Sequence, residues 1–281
     1  MFKGFQNSDS MKKHFFAYLL IVITIFSCVK NPFTGKSNLN FVSNNELFAT
    51  SFQQYGSFLK ENKVITGTTD AKRVEMVGLK IKMAAEKYLE ANGYKEYLKD
   101  YAWEYKLVES KEVNAWCLPG GKIVFYSGIL PICKDDAGMA AVMGHEVAHA
   151  LANHGAQRMS AGILQQAGAG LVGVAVDAKS NQEKQLWMTA YGGITQYGGM
   201  LPFNRSHESE ADKIGLILMS IAGYDPTTAI SFWERMSANS GGKSQPEFLS
   251  THPSNATRIQ NLKNLIPEAK IQAAKFGIVF K

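Results

Sequence analysis

Cysteine is scarce in this 281-residue chain: Cys28, Cys117 and Cys133 are the only three, too few for a disulfide framework. Charge of one sign is scarce as well. Formal net charge is +6, of which Lys3, Lys12, Lys13 and Asp9 contribute a net +2, and so mild an excess argues against nucleic acid as a partner. The most apolar run, FFAYLLIVITIF at 15–26, is well short of the roughly 20 residues that a membrane-spanning helix needs. No internal repeat is evident. What the chain does have is 46% hydrophobic residues, an ordinary content for a packed core, so disorder is not expected.

Lys12, Lys13 and His14 precede the apolar run, which ends at Ser27-Cys28. Basic, apolar, then small is the order of a secretory signal, read here over residues 1–27. IFSC resembles the bacterial lipoprotein box, with Phe26 bulkier than usual, so Cys28 is the expected lipidation site. Residues 28–42 then read as a polar, lipid-anchored tether and 43–281 as one domain. The expected location is the bacterial cell envelope, with the lipid in the outer membrane and the protein facing the periplasm.

SNNE at 43–46 has the form of a capping box and starts a helix. A second helix is expected from Asp70 to Asn92, with apolar positions at Val74, Val77, Leu79, Ile81, Met83 and Ala84 and a stop at Gly93. The period then changes. Residues 103–110 and 114–128 read as strands, with Pro119-Gly120-Gly121 as a hairpin turn. A helix is expected from Asp135 through Met159, and others over 182–199, 203–222, 227–238 and 254–265. Residues 160–178 are small and apolar, but Gln165, Gln166 and Asp177 favour close helix packing over a membrane hairpin. The fold class is α+β, predominantly helical.

The chemistry concentrates in MGHEVAHALANHG, residues 143–155. His145 and His149 are four apart, about 40° and one turn on a helix, so both imidazoles can face one ion. Glu146 sits about 100° round, beside that ion without having to bind it. In this HExxH spacing two histidines bind zinc and the glutamate is the general base. His154, nine after His145, faces roughly the opposite side of a continuous helix. A metzincin would have its third histidine where Gly155 stands, which excludes that class. RSHESEAD at 205–212 is the richest source of a third ligand. Glu208 and Asp212 share a face and Glu210 points nearly opposite. Zinc accepts one carboxylate beside two histidines, and Asp212 is placed to receive the free N–H of a ligand histidine.

NPFTGKSNLNFVS, NAWCLPGGKIVFYSGIL, GHEVAHALANH, SHESEADKIGL, AGYDP and STHPSNATRI occur in an order that resembles metallopeptidase family 48, the zinc peptidases that include the CAAX prenyl protease, HtpX and the Oma-type enzymes. The nearest likeness is to its soluble, lipoprotein branch. The resemblance implies a zincin-like (gluzincin) domain with a small sheet carrying an edge strand, and one zinc per chain. It implies His145, His149 and Glu208 as ligands, Glu146 as catalytic base and Asp212 as support. Trp116-Cys117 depart from the smaller or non-thiol residues usual before the PGG turn.

Glu146 is expected to take a proton from the attacking water and return it to the departing amine. His207 and His252 are the candidates for a second electrophile. His252, in STHPSN, resembles the family's histidine-proline loop and could steady the oxyanion or plug the open metal position. The strand at Asn114, Ala115 and Trp116 could bind an extended substrate by strand addition. The expected activity is zinc-dependent endopeptidase cleavage of unfolded or misassembled envelope proteins. The alternative is a chaperone or assembly factor for outer-membrane proteins, with latent or secondary proteolysis and the outer-membrane assembly machinery as partner.

Overall fold

In a computed structural model the residues described are 28–239, 246–252 and 256–280; the expected signal at 1–27 lies outside them. The segment expected as a tether is folded. Strand β1 (Cys28–Lys30) pairs antiparallel with β2 (Ser37–Leu39), Cys28 lying opposite Leu39. Between them Asn31 and Phe33 are buried, and the Phe33 ring stacks on Tyr88 at 4.6 Å.

Helix α1 (Asn44–Glu61) starts where the capping pattern places it, Ser43 Oγ accepting from the Glu46 N–H. Helix α2 (Thr69–Ala91) ends at Gly93, whose φ of +83° suits the left-handed stop that glycine adopts without strain. It buries Val74, Val77, Ile81, Ala84, Ala85, Tyr88 and Leu89. Leu79 and Met83, expected on the same face, are exposed: the 3.6-residue stripe runs through 74, 77, 81, 84 and 88, and they fall beside it.

Strands β3 (Val64–Ile65), β4 (Glu104–Val108), β5 (Ala115–Leu118) and β6 (Lys122–Tyr126) form one sheet in the order β3-β4-β6-β5. β5 and β6 are the expected hairpin; β4 joins β6 in parallel, which leaves β5 at the edge. Gly120 and Gly121 both have positive φ in the turn, and a Cβ on Gly120 would lie 2.6 Å from the Phe52 ring.

Helix α3 (Asp136–Leu151), capped by Asp135, is buried from Gly138 to its last residue. Only a helix surrounded on every side can be apolar or small all round, as this one is between its polar site residues. The expected continuation to Met159 does not occur. Asn153 adopts left-handed geometry (φ +56°) and a new helix, α4 (His154–Ala175), begins. Asparagine tolerates that conformation better than other side chains except glycine. Helix α5 (Asn181–Thr195) follows, opened by a Ser180–Glu183 capping box, and a wide turn at 196–200 leads into α6 (Leu201–Ile221). Helix α7 (Thr227–Asn239), a single turn at Glu247–Thr251 and α8 (Ala256–Ala274) complete the described chain.

Helix α6 crosses α3 where two glycines meet. A Cβ on Gly144 would lie 2.8 Å from the Gly215 carbonyl oxygen, and one on Gly215 would lie 2.9 Å from the His145 nitrogen. Both contacts are closer than side chains tolerate, so glycine at both positions lets the backbones touch. Among the described residues no helix is long and apolar enough to cross a membrane, and Cys117 and Cys133 are free thiols.

Candidate metal centre

The approach of α6 to α3 brings four donor atoms together. His145 Nε2 and His149 Nε2, one turn apart on α3, are 3.1 Å from each other. Glu208, reaching in from α6, places Oε2 at 3.3 Å from the first and Oε1 at 3.3 Å from the second. His252, just after the turn at Glu247–Thr251, sets Nδ1 at 3.2 Å from His145 Nε2 and 2.9 Å from Glu208 Oε2. One donor atom from each of these residues lies within 4.8 Å of the other three. A tetrahedral zinc ion with bonds of about 2.0–2.1 Å holds its donors about 3.4 Å apart, so the donor set fits such an ion in both chemistry and spacing.

The ionisation states suit the same role. Burial pushes His149 well below the ordinary histidine range and outweighs its contact with Glu208, leaving the neutral imidazole that binds metal. For His145 burial acts in the same direction, but the carboxylates of Asp212 and Glu208 overcome it and raise the group to about 9. A bound cation would displace that proton. Glu208 is held far below the carboxylate range, the three histidines overcoming the effect of burial.

Glu146 is buried, and its Oε1 has no hydrogen-bond partner. That oxygen is 3.4 Å from His252 Nε2. Burial raises its pKa, with His252 and His145 opposing the rise. A buried carboxylate oxygen without a hydrogen bond is costly, and a proton-accepting oxygen at the edge of a metal site is one reason for a chain to carry it.

Asp212 Oδ1 lies 3.0 Å from His145 Nδ1, the support that the spacing leads one to expect. Sequence reasoning missed Arg258, which donates from Nε and Nη2 to the two oxygens of Asp212 at 2.9 and 2.7 Å. Its Nη1 donates to the His252 carbonyl at 3.2 Å, and its guanidinium carbon lies over the Trp233 ring, 3.6 Å from the centroid. The signal was its place in STHPSNATRI, six residues after His252.

His154 does not face away. The break at Asn153 swings it back, and its Nδ1 is 2.8 Å from His149 Nδ1. His207 stacks on His154 at 4.0 Å, bonds Gln157 through Nε2 at 3.0 Å, and is pushed down to about 3 by burial. It therefore stands in a layer behind the ligands, away from the position expected of a second electrophile, while His252 stands in the donor cluster.

On the expected substrate strand, Ala115 is buried and Asn114 uses its carbonyl on the Tyr126 N–H. The Trp116 ring packs edge-on against Phe58 and Tyr55, beneath α1. Cys117, Leu118 and Pro119 instead line a cavity of about 590 Å³ that reaches His149 and Arg158. A second cavity of about 450 Å³ meets Glu208 and Arg258 from the other side.

The family model described as Peptidase family M48 matches residues 79–266. The mitochondrial metalloendopeptidase OMA1 of Saccharomyces cerevisiae is 36% identical over 205 residues, which cover 70% of this chain and 56% of the relative. Its namesake in Schizosaccharomyces pombe is 38% identical over 177 residues, 62% of this chain and 50% of the relative. The Beta-barrel assembly-enhancing protease of Escherichia coli is 30% identical over 169 residues, 58% of this chain and 34% of the relative. The chain thus spans about half the length of its yeast relatives. The expected outer-membrane lipoprotein placement is corrected by these matches: relatives in yeasts, a plant and vertebrates are named as mitochondrial, and the bacterial relative aligns over a shorter stretch.

Proposed function

The chain belongs to peptidase family M48, and we propose that this protein is a zinc-dependent metalloendopeptidase that cleaves unfolded or misassembled polypeptides. The observation that carries the proposal is the meeting of His145, His149 and Glu208 within 3.3 Å of one another, with the unpartnered Oε1 of Glu146 alongside. Zinc held by these three residues would supply the Lewis acidity that activates water and polarises a peptide carbonyl. Glu146 Oε1 accepts the proton of the attacking water and then delivers it to the departing amine. His252 Nε2, 3.4 Å away, is placed to hold Glu146 or to donate to the developing oxyanion.

Substrate enters in extended form along β5, whose outer edge is unpaired in the sheet order, and its side chains fill the cavity beneath Leu118 and Pro119. Main-chain recognition of this kind selects unfolded segments over particular sequences. A second reading, a latent peptidase whose main work is chaperoning or assembly, is favoured by one observation: His252 Nδ1 sits among the metal donors, where it would occupy the position that water needs.

Metal content and casein cleavage, measured together for the full chain, Glu146→Gln and His252→Ala, test both. One zinc per chain in all three, with cleavage lost only in Glu146→Gln, supports the peptidase. A zinc-loaded but inactive parent that His252→Ala switches on supports the latent form. A parent that binds no zinc overturns both.

A further inference from the structure

Arg258 backs two of the ligands, His145 through Asp212 and Glu208 through its own Nη1 at 3.4 Å from Oε2. His149 needs an outer partner too. With Nε2 turned to the donor cluster, a neutral His149 carries its hydrogen on Nδ1, and that hydrogen requires an acceptor. The acceptor within reach is His154 Nδ1, at 2.8 Å. His154 Nδ1 is then unprotonated, so its own hydrogen is on Nε2. That atom is buried without a hydrogen-bond partner and lies 3.5 Å from Glu210 Oε2.

Glu210 is itself held from outside the helical layer. Its Oε1 accepts from Asn31 Nδ2 at 2.8 Å and from Thr34 Oγ at 2.7 Å. The Asn31 amide has a fixed sense, because its Oδ1 already accepts from the Phe33 N–H at 2.8 Å and so its Nδ2 must be the donor. The turn is closed by the Gly35 N–H on the Asn31 carbonyl and the Asn31 N–H on the Lys36 carbonyl. Phe33 pins it to α2 by stacking on Tyr88.

We propose that Glu210, acting through His154, orients the ligand His149, and that the NPFTG turn at residues 31–35 is the clamp that holds Glu210 for this task. The inference rests on His149 being a metal ligand, as in the function proposed above. It gives three acidic residues of α6 three distinct positions in one site. Glu208 meets the ion, Asp212 backs His145, and Glu210, about 200° round from Glu208, backs His149 through an intermediate imidazole. It also gives Asn153 a purpose, since without the left-handed residue His154 would point away from His149.

The test is zinc affinity by chelator competition on the full chain, together with the visible absorption of the cobalt-substituted protein, which reads ligand geometry. Glu210→Gln and His154→Phe are expected to weaken zinc about 10- to 100-fold, the usual effect of removing an outer partner, and to alter the cobalt bands. His154→Asn, whose Oδ1 can still accept from His149, recovers part of the loss. Thr34→Val and Asn31→Leu, remote from any donor atom, weaken zinc in the same direction and by less. A role confined to packing would lower thermal stability and leave affinity and cobalt bands unchanged, and affinities within twofold of the parent in Glu210→Gln overturn the proposal. Where Glu210→Gln fails to fold, His154→Phe decides it by the same criterion. A parent that binds no zinc points to failure of the site reading, whereas a zinc-binding parent with unaffected variants rejects the clamp alone.

Discussion

At the scale of single residues the site separates two kinds of carboxylate. Glu208 is surrounded by three histidines, and Glu146, one residue from His145, has an oxygen with no hydrogen bond, 3.4 Å from His252 Nε2. Glu146→Gln keeps the shape and removes the base, so metal content should be unchanged while kcat falls by roughly 10²–10⁴-fold; equal loss of zinc and activity would make Glu146 a ligand. Arg258 makes the opposite prediction. Its fork grips both oxygens of Asp212 while its charge lies over the Trp233 ring. Lysine keeps the charge and loses the fork. Arg258→Lys should therefore free Asp212 to move, lower zinc affinity about 10-fold or more and reduce thermal stability. Arg258→Leu should be worse by about 3–5 kcal/mol in stability, because it takes the guanidinium from a buried carboxylate and leaves Asp212 to its contact with His145. A leucine variant with the parent's melting temperature would show that the pair contributes nothing.

At the scale of elements, the site exists because α3 and α6 approach to backbone contact. Gly215→Ala places a Cβ 2.9 Å from the His145 nitrogen, and neither partner there is a flexible side-chain end that can swing aside. Separation of the helices is the available response, at about 1–3 kcal/mol, and it carries Asp212 and Glu208 away from the histidines. Thermal denaturation and zinc titration of Gly215→Ala should both register the change; a variant within about 0.5 kcal/mol of the parent, the scatter of neutral surface substitutions, would mean that the crossing is looser than it looks. This scale also marks where the sequence stops being legible. His145, Glu146 and His149 could be read from helical spacing because they lie within one uninterrupted helix. His154 could not, since one residue, Asn153, takes the left-handed conformation, and angular bookkeeping from His145 loses meaning beyond it. The parallel pairing of β4 with β6, which places the expected edge strand β5 at the border of the sheet, was equally hidden, because it is a long-range choice that local pattern does not encode. Residues 28–42 read as a tether for a related reason: their short, polar sequence shows no periodicity, and what folds them is contact with Glu210, Tyr88 and Ser160 from far along the chain.

For the molecule as a whole, burying α3 completely creates a problem at its end. The last carbonyls of a helix need partners, and those of Ala150 and Leu151 are sealed from water. Tyr97 donates to the Leu151 carbonyl at 2.7 Å, and the Ala150 carbonyl accepts from the Asn153 N–H at 3.1 Å and from Tyr101 at 3.2 Å. Burial pushes Tyr97 up to about 12, raises Tyr101 well above the ordinary tyrosine range, and pushes Tyr224 up to about 12. An unfolded tyrosine titrates near 10. Because the folded values are the higher ones, the stability tied to these protons is complete below pH 10 and is lost as pH rises through the folded values near 12. A buried phenol such as Tyr97, titrating near 12, contributes a loss of roughly 1–1.5 kcal/mol by pH 11, a sizeable part of a domain's marginal stability. The half-buried Tyr224 contributes less because solvent screens it. Circular dichroism at fixed temperature should therefore show little change between pH 7 and 9.5 and cooperative unfolding between about 10 and 12. Tyr97→Phe gives a result that a simple loss of packing cannot imitate. Removing the hydrogen bond should cost about 1 kcal/mol at pH 8, yet the slope of stability against pH above 10 should become shallower, because one ionisation no longer has to accompany unfolding. If the variant is weaker by the same amount at every pH, the phenol does not titrate with unfolding, and the alkaline limit of this fold must lie with its other tyrosines or with the thiols of Cys117 and Cys133, which burial also raises.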